Sequence, residues 1–174
     1  MIAKISSLLF ATNLSEECRP ALETAVNIAN NHQAELVLLY IIVKESPEFI
    51  EEDLKRTIGA EKWETIRKEY KNDVEKSLTG KMSVGGIGRL ALQKYCEKNG
   101  INMDNCKFNW RSEIVTNTDR TKEIISQSKE HNCGMIILGN GKGLLGGNAL
   151  GSTIKSVLKK SEIPVLVVPS SYES

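Results

Sequence analysis

The segment from Met135 to Pro169 allows few folds, because strand, glycine-rich loop, helix and strand follow one another in it without a break. Met135-Ile136-Ile137-Leu138 is a short apolar run of the kind a parallel strand buried on both faces requires. It stops at Gly139-Asn140-Gly141-Lys142-Gly143, and Gly146 and Gly147 prolong the loop. A helix is predicted from Gly151-Ser152-Thr153 onward, where Ile154, Val157 and Leu158 take up helical spacing. Ile163 to Pro169 is then a second apolar strand bounded by Pro164 and Pro169. A helix that opens on Gly-Ser-Thr offers free backbone N–H groups, a hydroxyl and no bulky side chain, and its dipole favours negative charge. Phosphate is the group such a segment suits, with Lys142 as a cation inside the glycines. The plainer alternative is a surface loop of glycines with Ser152 as a helix cap.

The rest of the chain alternates in the same way. Leu8 to Ala11 closes a first strand, and Ala21, Leu22, Ala25, Val26 and Ala29 form one helical face with Pro20 in the first turn. Leu36 to Val43 reads as a second buried strand. After Pro47 the texture becomes charged: Ile50, Leu54 and Ile58, then Ile66, Tyr70, Val74 and Leu78, repeat every four residues as amphipathic helices interrupted near Gly59. Thr79 to Gly88, with Gly80, Gly85, Gly86 and Gly88, is expected to be a loop, and Arg89 to Lys98 a helix ending at Asn99-Gly100. Phe108, Trp110, Ser112 and Ile114 alternate as a third strand, and Thr118-Asp119 caps a helix carrying Ile124 and Ile125. This order predicts an α/β fold, a doubly wound five-stranded parallel sheet of Rossmann-like type with a helical insertion after the second strand. It is read as one domain over 1–174, enlarged by the helical and Gly-rich insertion at 47–88. Ligands of such sheets bind at the carboxyl ends of the strands, where strand order reverses.

Composition narrows the function. With 23 Lys and Arg against 22 Asp and Glu, no global charge draws the chain to nucleic acid or an anionic membrane. No apolar run approaches the roughly 18 residues of a membrane span, and the N-terminus lacks the longer apolar stretch of a signal peptide. Cys18, Cys96, Cys106 and Cys133 have no C-x-x-C spacing, which points to reduced thiols in a cytoplasmic protein and to no metal site. His32 and His131 fall at helix ends, where a solvated imidazolium beside a C-terminal dipole is expected, and no catalytic residue is assigned. Gly146 to Thr153 has P-loop spacing, but Ser152 stands where the lysine is needed. Gly141 to Gly146 spells a dinucleotide fingerprint, yet Gly147-Asn148 delays the helix and no acidic residue ends the next strand.

Residues 135–169 resemble the C-terminal signature of the universal stress protein family: Gly-x-x-Gly, nine residues, Gly-Ser or Gly-Thr, a helix and a Pro-Val-x-Val-Val strand. Lys142 to Leu150 supply the nine residues between Gly141 and Gly151-Ser152, while Gly139-x-Gly141 is one residue short. Ser7 to Ser15 is similar to the family's first strand and following loop, with Asn13 where nucleotide-binding members usually carry Asp. The likeness covers about residues 2 to 43 and 107 to 169.

The resemblance implies an adenine nucleotide alpha hydrolase-like sandwich that binds ATP or AMP, with or without Mg²⁺, as a homodimeric regulatory module of the stress response. It places Ala11, Thr12, Asn13 and Ile41 at the base and ribose. Leu138, Gly139, Asn140 and Gly141 then follow along the middle, and Lys142, Gly151, Ser152 and Thr153 hold phosphates. The shortened glycine pair implies weak discrimination between ATP and AMP. Val165, Leu166, Val167 and Val168, as an edge strand, would meet their own copies across a two-fold axis. Asn13 has the alternative of a turn residue bonded to its own backbone, and Ile41 that of an ordinary core residue. The competing functions are a member that has lost nucleotide binding and serves as a dimeric interaction protein, and a slow ATP hydrolase.

Overall fold

The apolar runs become the strands of one sheet. A computed structural model describes residues 5–42, 52, 55–56, 59–75, 84–141 and 150–171. Its elements are β1 (Ser7–Thr12), α1 (Arg19–His32), β2 (Glu35–Ile42), α2 (Ala60–Glu75), α3 (Val84–Lys98), β3 (Trp110–Thr116), α4 (Arg120–Glu130), β4 (Met135–Asn140), α5 (Ser152–Lys160) and β5 (Val165–Pro169). Short 3-10 turns occupy Glu16–Cys18 and Met103–Asn105. All neighbouring strands run parallel, in the order β3-β2-β1-β4-β5. This is the doubly wound five-stranded sheet that the alternation predicts.

Period-two alternation sends each strand's side chains into two cores. Leu8, Phe10, Leu36, Leu38, Tyr40 and Ile137 pack with Ala21, Leu22 and Ala25 of α1 and with Ile87, Ala91, Leu92 and Tyr95 of α3. Leu9, Val37, Leu39, Ile136 and Leu138 pack on the opposite face with Ile124 of α4 and with Ile154 and Val157 of α5. Among the described residues, no helix is long and apolar enough to cross a membrane.

The switch point lies between β1 and β4. Leu8 faces Met135 and Ala11 faces Leu138, so the two strands end together. From there the chain turns one way to β2 and the other way to β5, and their helices diverge to leave a crevice above these two strand ends.

Several sequence readings need correction. The glycines at 85, 86 and 88 lie inside α3, not in a loop. A Cβ at Gly88 would come within 2.6 Å of Ile114 Cγ2 and 3.4 Å of Ile42 Cδ1, so the missing side chain lets the helix lie close on β2 and β3. Close packing there outweighs the roughly 1 kcal/mol that glycine costs a helix interior. The third strand starts at Trp110, leaving Phe108 buried just before it, and the second starts one residue earlier, at Glu35, with Val43 outside the described residues. Leu158 is exposed, although its spacing matches that of Ile154 and Val157. Ile50, Leu54, Ile58, Leu78 and Gly80, which carried the insertion reading, lie outside the described residues.

Candidate functional site

At the carboxyl end of β1 the chain leaves the sheet through a tight turn. Thr12 is buried and its hydroxyl accepts the Leu14 N–H at 2.9 Å, while Leu14 takes a left-handed backbone conformation with φ 62°. Asn13 Oδ1 accepts the Ser15 N–H at 3.1 Å and the Cys18 thiol at 3.2 Å. The Asn13 acceptor is thereby engaged within the loop, so only its amide N–H₂ is left to face a ligand.

Helix α3 holds this loop from outside. Tyr95 donates its phenol to the Ser15 carbonyl at 3.0 Å, and Lys98 pairs with Glu16. Burial pushes the Tyr95 phenol far above its ordinary pKa, so it remains a donor.

β4 closes the other wall. A Cβ at Gly139 would lie 3.1 Å from both the Cα and the Sγ of Cys18 and 3.4 Å from the Ala21 methyl. Glycine at 139 thus sets the approach of α1 to the strand. At Gly141 a Cβ would meet the Glu17 carboxylate instead, so an acidic side chain lies over the start of the glycine segment.

Between these walls is a cavity of about 170 Å³. Ala11, Thr12 and Asn13 line it from β1, Ile41 from β2, Leu138 and Gly139 from β4, and Cys18 from the turn before α1. Arg120 and Ile124 of α4, and Thr153 and Ile154 of α5, complete it. Seven residues singled out in the sequence therefore meet in one cavity: Ala11, Thr12, Asn13, Ile41, Leu138, Gly139 and Thr153. Ser152 lines an adjoining recess, and Gly151 stands at the N-cap of α5 without a side-chain cap bond. Asn140 and Gly141 continue from β4 beyond the cavity lining, and Lys142 lies outside the described residues.

Sequence reasoning did not assign Cys18, Arg120, Ile124 and Ile154 to the site. Arg120 was the most accessible to it. Thr118-Asp119 marks a helix start just after a strand, and side chains in such a first turn overhang the strand ends where ligands bind. In the structure Asp119 is that cap, accepting the Lys122 N–H at 3.0 Å.

Among the described residues, no other ionisable group belongs to the cavity lining. His131 is nearly buried, with Nε2 3.4 Å from Glu113 Oε1 and no hydrogen bond, in place of the solvated imidazolium expected at a helix end. Burial raises the thiols of Cys96, Cys106 and Cys133, that of Cys96 to about 12. All four cysteines are free, and no group of three His, Cys, Asp or Glu suited to a metal occurs among the described residues. A larger cavity of about 240 Å³ lies between α3 and β3, lined by Leu92, Cys96, Met103 and Trp110 among others, and none of the residues that the sequence assigns to the nucleotide is in its lining.

Comparison with known proteins places this geometry. A model of the universal stress protein family matches residues 4–103 and 108–169. Universal stress protein UspA from Lactobacillus plantarum superposes with a TM-score of 0.61 at 20% identity, over 96% of this chain and 99% of that one. A universal stress protein solved in complex with cAMP gives 0.55 at 16% identity, over 97% and 100%. The universal stress protein from Archaeoglobus fulgidus in complex with dAMP gives 0.52 at 12% identity, over 95% and 98%. Comparison with curated protein sequences returned no match. At these identities the solved structures carry the fold and the family model carries the membership: the chain belongs to the universal stress protein family.

Proposed function

We propose that the protein binds an adenine nucleotide, ATP or AMP with or without Mg²⁺, at the cavity between β1 and β4 and acts as a homodimeric regulatory module of the stress response. The observation that carries this reading is the meeting of two sequence-distant signatures, Ala11-Thr12-Asn13 and Leu138-Gly139 with Thr153, around one cavity at the switch point. Apolar Ala11, Ile41 and Leu138 suit a base, and the start of α5 suits phosphate. Complexes of two family members with cAMP and dAMP support the ligand class. The engaged Asn13 acceptor and the Glu17 carboxylate over Gly141 favour the competing reading, a member that has lost nucleotide binding.

Gly151 separates the two. Its backbone, φ −59° and ψ 155°, is open to any residue, and a Cβ there meets no described residue within 4 Å. Nothing among the described residues demands glycine at this position, whereas phosphate approach does. Gly151→Val is expected to weaken ATP binding at least tenfold, about 1.4 kcal/mol, with an unchanged melting temperature. Calorimetric titration checks it. Equal affinity in both proteins, or no nucleotide binding by the wild type, overturns the reading.

Dimerisation is the second part of the proposal. Among the described strands β5 pairs only with β4 and stands at the edge of the sheet. Val165, Leu166 and Val167 are only half-buried, and Val168 alone is fully covered. A second copy running antiparallel would pair that edge and cover those side chains. Val167→Lys is expected to convert a dimer to a folded monomer in light scattering at micromolar concentration. A monomeric wild type, or a dimer unaffected by the charge, rules this interface out.

A further inference from the structure

We propose that Arg120 makes the site count phosphates, selecting nucleoside triphosphates over monophosphates; the inference rests on the nucleotide reading above. Beyond the cavity, a recess of about 280 Å³ opens between the starts of α4 and α5. The two share Arg120 and Thr153 as lining residues, so a ligand seated at the strand ends can extend directly into the recess. No apolar side chain lines the recess among the described residues; beside Asp119 and Arg120 its lining is entirely Ser and Thr. It therefore suits a chain of phosphates and not a base or an acyl group.

Its two charges are not equivalent. Asp119 is occupied as the cap of α4, holding the Lys122 N–H. Arg120, the next residue, is exposed and makes no ion pair or side-chain hydrogen bond among the described residues. A guanidinium presents five N–H donors in a planar fork that matches two oxygens of one phosphate group. Arg120 stands at the junction of cavity and recess, where a monophosphate offers its fork one phosphate group and a triphosphate laid into the recess offers the outer ones as well. The shortened glycine pair argues for weak discrimination, but it concerns only the β4 side of the ligand. The recess adds phosphate contacts from the opposite wall.

Calorimetric titration of the full chain with ATP and AMP tests the inference in the wild type, Arg120→Ala, Arg120→Lys and Lys159→Ala, the last removing an exposed cation from the far end of α5. The wild type is expected to prefer ATP at least tenfold. Arg120→Ala should weaken ATP at least tenfold more than it weakens AMP, bringing the two affinities together. Arg120→Lys should fall between, having the charge without the fork, and Lys159→Ala should resemble the wild type. Thermal melting should show all variants folded, since the side chain of Arg120 is exposed. Equal wild-type affinities, equal weakening of both ligands by Arg120→Ala, or the same loss from Lys159→Ala overturns the role of Arg120 while the nucleotide reading stands. A wild type that binds neither ligand removes both.

Discussion

Trp63→Ala is expected to cost the fold about 3–5 kcal/mol, the largest effect of any single substitution considered for this chain. Trp63 lies on α2, inside the segment 47–88 that the sequence marks as an insertion, and its side chain is completely buried. It belongs to the same core as Phe10, Leu22 and Tyr95, so α2 is docked on the domain through it. For a chain of this size each kcal/mol shifts the melting midpoint by about 2–4 °C, and a drop of about 10 °C is expected. Trp63→Phe should behave differently. The indole Nε1 is buried and has no hydrogen-bond partner among the described residues. An orphaned donor costs about 1–3 kcal/mol. Removing it offsets much of the void that the smaller ring leaves, so the net change is expected to stay under about 1.5 kcal/mol. Urea unfolding of both variants checks the pair. Loss of less than about 1 kcal/mol in Trp63→Ala would show that α2 does not depend on this anchor.

Gly139→Val is expected to destabilise the fold by about 1–3 kcal/mol and to abolish ligand binding in the same step. The strand conformation tolerates valine, so the cost is steric and not torsional. The added Cβ alone would sit 3.1 Å from the Cα of Cys18, a backbone atom that moves only if α1 moves. Because Cys18 and Gly139 both line the cavity, relief of that clash must reshape it. The contrast with Gly151→Val is the informative part. One glycine of the same signature is required by packing and the other faces open space, so one substitution should lower the urea midpoint and the other should not. Wild-type stability in Gly139→Val would refute the packing argument.

These assignments show where the amino-acid pattern was sufficient. Continuous apolar runs at 36–39 and 136–138 can be satisfied only by strands covered on both faces, and the alternation of such runs with helical faces leaves little besides the observed sheet. The cavity residues on β1 and β4 were legible for the same reason, as they lie at strand ends. Gly85, Gly86 and Gly88 were not. Glycine marks both a turn and a helix pressed against a neighbour, and at Gly88 the helix is pressed against Ile114 and Ile42, distant residues that no local pattern includes. Asn13 shows the same limit on a smaller scale. Its residue type suits a turn and a ligand contact equally, and the turn is fixed by Ser15 and Cys18 as partners. Arg120 looked like any surface cation until the two helix starts beside it were brought together.

The lining of the cavity runs from Ala11 to Ile154 along the chain and draws on three strand ends and the starts of two helices. No stretch of unfolded polypeptide can hold those groups near one another, so an occupant has affinity for the native state alone. Mass action then converts occupancy into cohesion. A ligand at a hundred times its dissociation constant adds about 2.7 kcal/mol to unfolding, comparable with the penalty expected for Gly139→Val. The protein's resistance to heat should therefore rise and fall with the concentration of whatever fills the crevice between β1 and β4.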